Sequence, residues 1–420
     1  MNYQDLLTTQ DTQKQFVAQS GLDFAEPTYI SCVSKKLSEI GLQLTNNQFD
    51  GLAVDIINLI DKKVESIKKW QNQELLDECY PADTIDLITQ NKLQFGGDFC
   101  YARLSFIVDT NGKPNLIEIN AQTPSFNYEL ESGTDLMLDL LQKPARNSQY
   151  ITNLTNCLMD NLVALSQKIN KPLGECRIGM MTCDSAEDLF EMKYLHSIVQ
   201  SQKKCQQVSV FSNLECDFDS DNRIFNSKTN DRYDIIFNWY PLELAVGERY
   251  PDGTSFGELL AKSQTPIFNF DSFLAQNKYL LVDLKHPNIV PSFYTQEELR
   301  EYLSTNIPTV QNNFVAKPIF GRQSLGIFGN NNSIHDNLHN NTQNHKMSGD
   351  LGDDYYNNQP YLYQPFVDSY PLIINKNLHN FVLEKFVYKT KTGWTPGGHG
   401  LRVNSPDTFT NDISPWVVIE

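Results

Sequence analysis

The sequence predicts an α+β protein of two or three lobes, on three observations. Two apolar, β-prone runs, Leu104 to Val108 and Leu116 to Ile119, flank a turn containing Asn111-Gly112, whose positive φ closes a hairpin. Apolar residues recur at helical intervals before residue 70 and again from Tyr150 to Ile169. Between Arg177 and Trp239 the texture becomes strand, helix, strand, the mark of a small parallel α/β unit. With 420 residues, 40% of them hydrophobic, the chain is long enough to bury a large core. Boundaries fall near residues 170 and 265: a helical lobe carrying the hairpin, an α/β lobe, and a third lobe to residue 420.

In chain order, Tyr29, Val33, Leu37 and Ile40 read as one helix, and Leu52, Ile57, Ile60, Val64 and Ile67 as a second, which Asn47 or Asp50 is placed to cap. A third helical stretch lies near Asp83 to Gln90, before the hairpin. Helices follow over Asp135 to Leu141 and Tyr150 to Ile169, the latter with Leu154, Leu158, Leu162 and Leu165 on one stripe. The α/β lobe offers strands at Arg177 to Met181, Gln207 to Phe211 and Tyr233 to Trp239, with a helix from Leu189 to Gln200. Pro266 to Phe270, Val290 to Tyr294 and Phe314 to Pro318 read as strands, and Asp271 to Leu284 and Thr295 to Leu303 as helices. Gly329 to Gln359, rich in Asn, His and Asp, reads as a polar loop or insertion. Strands resume at Tyr361 to Val367 and Phe381 to Lys389, and glycine-rich Trp394 to Arg402 reads as a surface turn.

A formal net charge of −17, without a basic stripe, argues against a nucleic-acid backbone as partner. An acidic surface attracts a polycation such as a polyamine, although acidity also serves plain solubility. No apolar run approaches membrane-spanning length and the start lacks the order of a secretory signal, so a cytoplasmic protein without a membrane partner is expected. Eight cysteines show neither a CxxC pair nor a Cys/His metal spacing, which predicts reduced, buried thiols. His335, His339 and His345 are irregularly spaced in the Asn-rich loop and read as solvated.

Candidate chemistry starts at the hairpin. Glu118 and Asn120 point to one face of the second strand, a carboxylate and an amide oxygen suited to Mg²⁺, with Arg103 on the partner strand suited to phosphate. Ala121 to Ser125 continues as a small, Pro-stiffened loop where binding groups tend to sit. In a parallel α/β lobe ligands bind beyond the carboxyl ends of the strands, which marks Asp184, Glu187, Asp188 and Asn238 to Glu243. Glu187 and Asp188 equally suit a helix N-terminus. Lys317 ends a strand before a Gly321, Gln323, Ser324, Gly326 loop of the kind that folds over a triphosphate, although its order is not that of a Walker loop. Tyr361 to Val367 has backbone groups able to read an adenine edge, with Gln364 as a polar contact.

GKPNLIEINAQTP, SAEDLFEMKYL, FNWYPLE, FLAQNKYLLVDLKHPNIVPSFY, VAKPIFGRQSLGI, YLYQPF and GGHGLR occur in this order. In combination they resemble the glutathionylspermidine synthetase-like family of ATP-grasp ligases, from the first helices to Arg402. The resemblance implies a permuted ATP-grasp fold with an α/β pre-ATP-grasp lobe, and the synthetase part alone, without the amidase of bifunctional members. It implies ATP and Mg²⁺, with Glu118 and Asn120 on the metal and Lys278 and Lys317 on the phosphates. Gly321, Gln323 and Ser324 would cover them, Gln364 would lie near adenine, Arg103 and Arg402 would stabilise the transferring phosphoryl group, and Thr123 would lie beside the peptide. The implied reaction joins a small-molecule acid, with glutathione as reference, to an amine such as spermidine through an acyl phosphate, in a monomer or homodimer. Other readings are a different peptide or amine, or a nucleotide-binding protein that has lost turnover. The sequence departs from the family's usual Arg-x-Asp, because Arg103 is followed by Leu104 and Ser105. A hydroxyl is a poorer Mg²⁺ ligand than a carboxylate, so one of two expected metals should be weakened or absent. Asn238 replaces a usual lysine, and Asn269-Phe270-Asp271 a tryptophan-rich lead, so the phosphate machinery carries over better than the substrate pocket.

Overall fold

A computed structural model describes residues 10–22, 30–68, 97–144, 146, 149–249, 253–306, 313–322, 326–329, 359–374, 376–404 and 415–420. The described helices are α1 (Gln10–Ser20), α2 (Asn46–Lys68), α3 (Thr134–Leu140), α4 (Gln149–Lys168), α5 (Ala186–Ser201), α6 (Leu242–Gly247), α7 (Phe256–Lys262), α8 (Ser272–Gln276) and α9 (Gln296–Asn306). Strands β1 (Ile30–Lys35), β2 (Tyr101–Val108) and β3 (Pro114–Asn120) precede β4 (Arg177–Thr182), β5 (Gln207–Ser212), β6 (Cys216–Phe218), β7 (Ile224–Asn226), β8 (Asp231–Arg232) and β9 (Ile235–Trp239). Then come β10 (Ile267–Phe268), β11 (Phe314–Pro318), β12 (Phe328–Gly329), β13 (Tyr361–Pro365), β14 (Leu372–Ile374), β15 (Asn377–Thr390), β16 (Gly393–Asn404) and β17 (Trp416–Ile419).

Four sheets are built from them. The largest runs β1-β17-β16-β15-β2-β3 with β14 beside β15, and a parallel sheet runs β10-β9-β4-β5. An antiparallel sheet runs β12-β11-β13, and β6-β7-β8 form a small ribbon. The mixed α+β class is thus as expected. The hairpin is β2 and β3, its turn closed by Gly112 at φ +78 and by Asp109 Oδ1, which accepts the Asn111 and Lys113 N–H groups. One face of the large sheet packs on α2, where Ile57, Ile60, Val64 and Ile67 are buried as read from the sequence, joined by Phe49, Ala53 and Ile56, while Leu52 is only partly buried.

Several elements differ from expectation. Ile30–Lys35 is a strand, because parallel pairing of Ile30, Ser34 and Lys35 with Trp416, Val418 and Ile419 outweighs a four-residue apolar spacing. Leu37 and Ile40 belong to a 3-10 turn that Gly41 ends at φ +80. Thr45 rather than Asn47 or Asp50 caps α2: its Oγ1 accepts the Gln48 N–H while Gln48 Oε1 accepts the Thr45 N–H. The expected helix from Asp271 to Leu284 is the short α8, a break at Asn277, and a 3-10 turn over Lys278–Leu281. Only Ile267–Phe268 of the 266–270 run pairs, and 290–294 makes one bridge, Phe293 with Tyr363, instead of a strand.

Trp394 to Arg402 is no surface turn. It lies in β16, inside the large sheet, and its glycines are required by close approach: a Cβ on Gly398 would sit 1.8 Å from the Leu130 carbonyl oxygen. The readings at 83–90, at Gln323 and Ser324, and at His335, His339 and His345 lie outside the described residues. Among the described residues six cysteines are free thiols, and no helix is long and apolar enough to cross a membrane.

Candidate functional site

The register of the large sheet sets the site. Arg103 pairs with Asn120 and Ser105 with Glu118 across the hairpin, so these four side chains share one face. On the other side of β2, Ser105 pairs with Glu384 of β15, and Glu384 with Gly400 of β16. Arg402, two residues along β16, lies on that same face.

Two lysines come from outside this sheet. Asn277 breaks the chain after α8 and its Oδ1 accepts the Tyr279 N–H at 2.9 Å, which starts the turn bearing Lys278. Lys278 N–H donates to the Ile319 carbonyl just past β11, so the two lysine-bearing segments are joined through backbone. The Lys278 ammonium lies 3.1 Å from Glu118 Oε1 and donates to the Gly321 carbonyl at 2.7 Å. Lys317, in β11, reaches across to donate to the Ile117 carbonyl of β3 at 3.2 Å. Both ammonium groups therefore meet the strand that carries Glu118 and Asn120.

Charge and burial act against each other here. Burial pushes the Glu118 carboxyl up, but Lys278, Lys317 and Arg402 together outweigh it and hold the group below the ordinary carboxylate range. Burial pulls Lys317 down to about 8, with Glu118 opposing and Lys278 reinforcing the shift. Gln364 pairs with Val315 in β13, on the same face as Lys317, and its Nε2 donates to Ser292 Oγ at 3.0 Å.

The two arginines converge on a residue that sequence reading missed. Arg402 Nε donates to Glu384 Oε1 at 2.7 Å, and Arg402 Nη2 grips the same oxygen. Ser105 Oγ donates to Glu384 Oε2 at 2.7 Å, and Arg103 Nε lies 3.3 Å from it. Both guanidinium carbons stand over the Phe126 ring, at 5.8 and 5.9 Å. Phe126 has φ +87, a strained backbone for a side chain of that size, and its N–H is held by Glu191 Oε1 at 2.6 Å. Arg103 Nη1 also donates to the Ser125 carbonyl.

Thr123 is tied to the segment after β11. Arg322 donates from Nη1 to Thr123 Oγ1 at 2.8 Å and from Nε to Glu243 Oε1 at 2.7 Å. Gln122 links the same set, its Nε2 donating to Glu243 Oε2 and its Oε1 accepting the Leu242 N–H. Gln276 Oε1 accepts the N–H groups of Ala121 and Gln122, fixing the exit of β3. Of the residues marked beyond the parallel sheet, Glu243 therefore joins the hairpin's loop. Asp188 instead bonds Ser185 and Trp239, and Asn238 bonds the Tyr240 backbone. Glu187 lies half-buried in the first turn of α5, where its charge adds to the upward push that burial and Glu129 exert on Glu191.

Comparison with known proteins sets this arrangement in context. The model of the glutathionylspermidine synthase pre-ATP-grasp family matches residues 4–404. The chain belongs to that family. A glutathione synthetase-like effector from Globodera pallida, solved in its apo form, shares the fold with a TM-score of 0.56 at 11% identity, covering 100% of this chain and 98% of that one. The glutathionylspermidine synthase motifs recognised in the sequence thus coincide with the segments that meet at the site: the hairpin, the Lys278 turn, β11 and β16. Glu384 and Phe126 lie in none of those motifs, whereas Gln122, Gln276 and Arg322 lie within them without a role of their own there. Glu384 falls in the strand read over Phe381 to Lys389, but only the pairing with β2 shows what its face meets.

Proposed function

We propose that this chain is an ATP-dependent carboxylate–amine ligase of the ATP-grasp class, working through an acyl phosphate. Its proposed substrates are glutathione or a similar peptide and a polyamine such as spermidine. The observation that carries the reading is the meeting of Lys278 and Lys317 with Glu118 and β3, since two cations facing a carboxylate and an amide suit a metal-bound triphosphate. Glu118, held ionised by its lysine neighbours, and Asn120 form an oxygen donor set fitting Mg²⁺, which when bound would neutralise phosphate charge.

In this mechanism Lys278 and Lys317 orient the triphosphate, Gly321, Gln323 and Ser324 cover it, and Gln364 borders the adenine. The substrate carboxylate attacks the γ-phosphorus and ADP leaves; the amine then attacks the acyl carbon, phosphate leaves, and the ammonium gives up a proton. Arg103 and Arg402 stabilise the negative charge on the phosphoryl group as it moves. Thr123 and Glu187 border the substrates. The Arg322 bridge to Thr123 and Glu243 supports a covered site, which keeps water from the acyl phosphate. Three lobes, divided near residues 170 and 265 in permuted order, belong to the same reading.

ADP should be released only when acid and amine are both present, and Lys317→Ala should weaken ATP binding while Glu118→Ala mainly abolishes metal-supported transfer. ATP hydrolysis indifferent to every peptide and amine, or equal and negligible effects of both substitutions, would count against the reading. A second reading, nucleotide binding without turnover, is favoured by Ser105, which puts a hydroxyl where a carboxylate would serve the metal better.

A further inference from the structure

The face that bears Glu118 carries a second acidic side chain. Glu118, Ser105 and Glu384 are successive cross-strand partners on β3, β2 and β15, so the hydroxyl stands between two carboxylates. Adjacent strands lie about 4.8 Å apart, which puts the two glutamate backbones roughly 10 Å from each other, near enough for both side chains to lean over Ser105. Glu384 is fully buried. Its Oε1 is taken by Arg402, whereas Oε2, on the Ser105 side, accepts one hydrogen bond, from that hydroxyl. Arg103 Nε, 3.3 Å from Oε2, makes an ion pair without a hydrogen bond. A carboxylate oxygen accepts at two lone-pair sites, so Oε2 keeps capacity toward the centre of the row.

We propose that Glu384 is a ligand of the divalent cation that Glu118 and Asn120 would hold, so that the second carboxylate comes from β15 rather than from the hairpin. The inference rests on the nucleotide-dependent reading above. Glu118, Asn120, Ser105 and Glu384 then make an all-oxygen donor set, the kind Mg²⁺ and Mn²⁺ prefer. Among the described residues no three His, Cys, Asp or Glu side chains gather as a metal site, so two carboxylates completed by an amide and a hydroxyl is what the sheet offers. Ser105 is thereby accounted for: the carboxylate is displaced by one strand.

The test measures Mn²⁺ affinity, by electron paramagnetic resonance of the free ion, for the full chain with a non-hydrolysable ATP analogue. Nucleotide affinity without metal is measured in parallel by calorimetry. Glu384→Gln should weaken Mn²⁺ binding by about tenfold or more without weakening metal-free nucleotide binding. Adding Ser105→Asp to that variant should restore Mn²⁺ affinity, and Ser105→Asp alone should tighten it. If Glu384 only fixes the arginines, Glu384→Gln leaves Mn²⁺ affinity unchanged or Ser105→Asp fails to restore it, and either result overturns the proposal. Should Glu384→Gln not fold, Ser105→Asp alone decides, because unchanged or weaker Mn²⁺ binding contradicts the row. Wild-type protein that binds neither Mn²⁺ nor nucleotide would instead sink the ligase reading beneath it.

Discussion

Lys317 is the residue whose ionisation ties the site to a measurable proton. Its folded pKa, about 8, lies below the 10.5 of an exposed lysine, chiefly through burial. Between these values the unfolded chain holds a proton that the folded chain lacks, so this group makes stability rise with pH from about 8 to 10.5 and opposes folding below that window. A triphosphate favours the ammonium, so binding should raise the pKa and take up a proton above pH 8, with affinity falling toward tenfold per pH unit. Calorimetry at pH 8.5 in two buffers of different ionisation enthalpy should show proton uptake for the wild type and none for Lys317→Met; equal enthalpies for the wild type would mean that Lys317 does not face phosphate. Lys317, Lys278, Glu118 and Asn120 were all legible in the sequence, because each belongs to a motif. Glu384 was not, since its partner Ser105 lies 279 residues away and register alone brings them together. Arg322 shares the motif of Lys317, but its contact with Thr123, 199 residues away, left no local signal.

Among the elements, β16 shows how a glycine-rich stretch can be central. Gly398 faces the π-helical turn at Glu129–Gly133, and its N–H donates to Glu131 Oε1 at 2.6 Å. Because a Cβ there would overlap the Leu130 carbonyl, Gly398→Ala should lower unfolding free energy by about 1–3 kcal/mol or more. Gly51→Ala is the control: it lies on the exposed side of α2 with nothing within 4 Å of a Cβ, and should add about 0.5–1 kcal/mol. Urea denaturation separates the two, and equal effects would mean that the turn does not pack on Gly398. The sequence carried α2, α4 and the hairpin well, since a long apolar stripe or an Asn-Gly turn is a local signal. It carried β1 and β16 badly. A strand made by pairing with a distant partner leaves little local trace, and glycines selected by close packing resemble glycines selected by a turn.

Across the whole molecule, the strand that presents Glu384 to the site presents Lys385 to the opposite side. Lys385 is fully buried, and its ammonium lies 2.5 Å from both Asp50 Oδ1 of α2 and the Gly397 carbonyl, and 3.4 Å from His399 Nδ1. Tyr150 of α4 donates to Asp50 Oδ2 at 3.0 Å, and its ring lies 4.5 Å beneath the ammonium. Burial pulls Lys385 below its ordinary value, with Asp50 opposing, and holds His399 well down as a neutral ring. Two helices and the sheet thus meet on one buried ion pair, directly behind the candidate site. Removing one member leaves the other without its counter-charge, so Lys385→Met and Asp50→Leu should each cost roughly 3–5 kcal/mol, whereas the double variant should cost clearly less than their sum. A double-mutant cycle in urea measures that coupling. Strictly additive losses would show that Lys385 and Asp50 do not act as a pair, leaving apolar packing and the separate Lys389–Asp61 ion pair to join α2 to the back of β15.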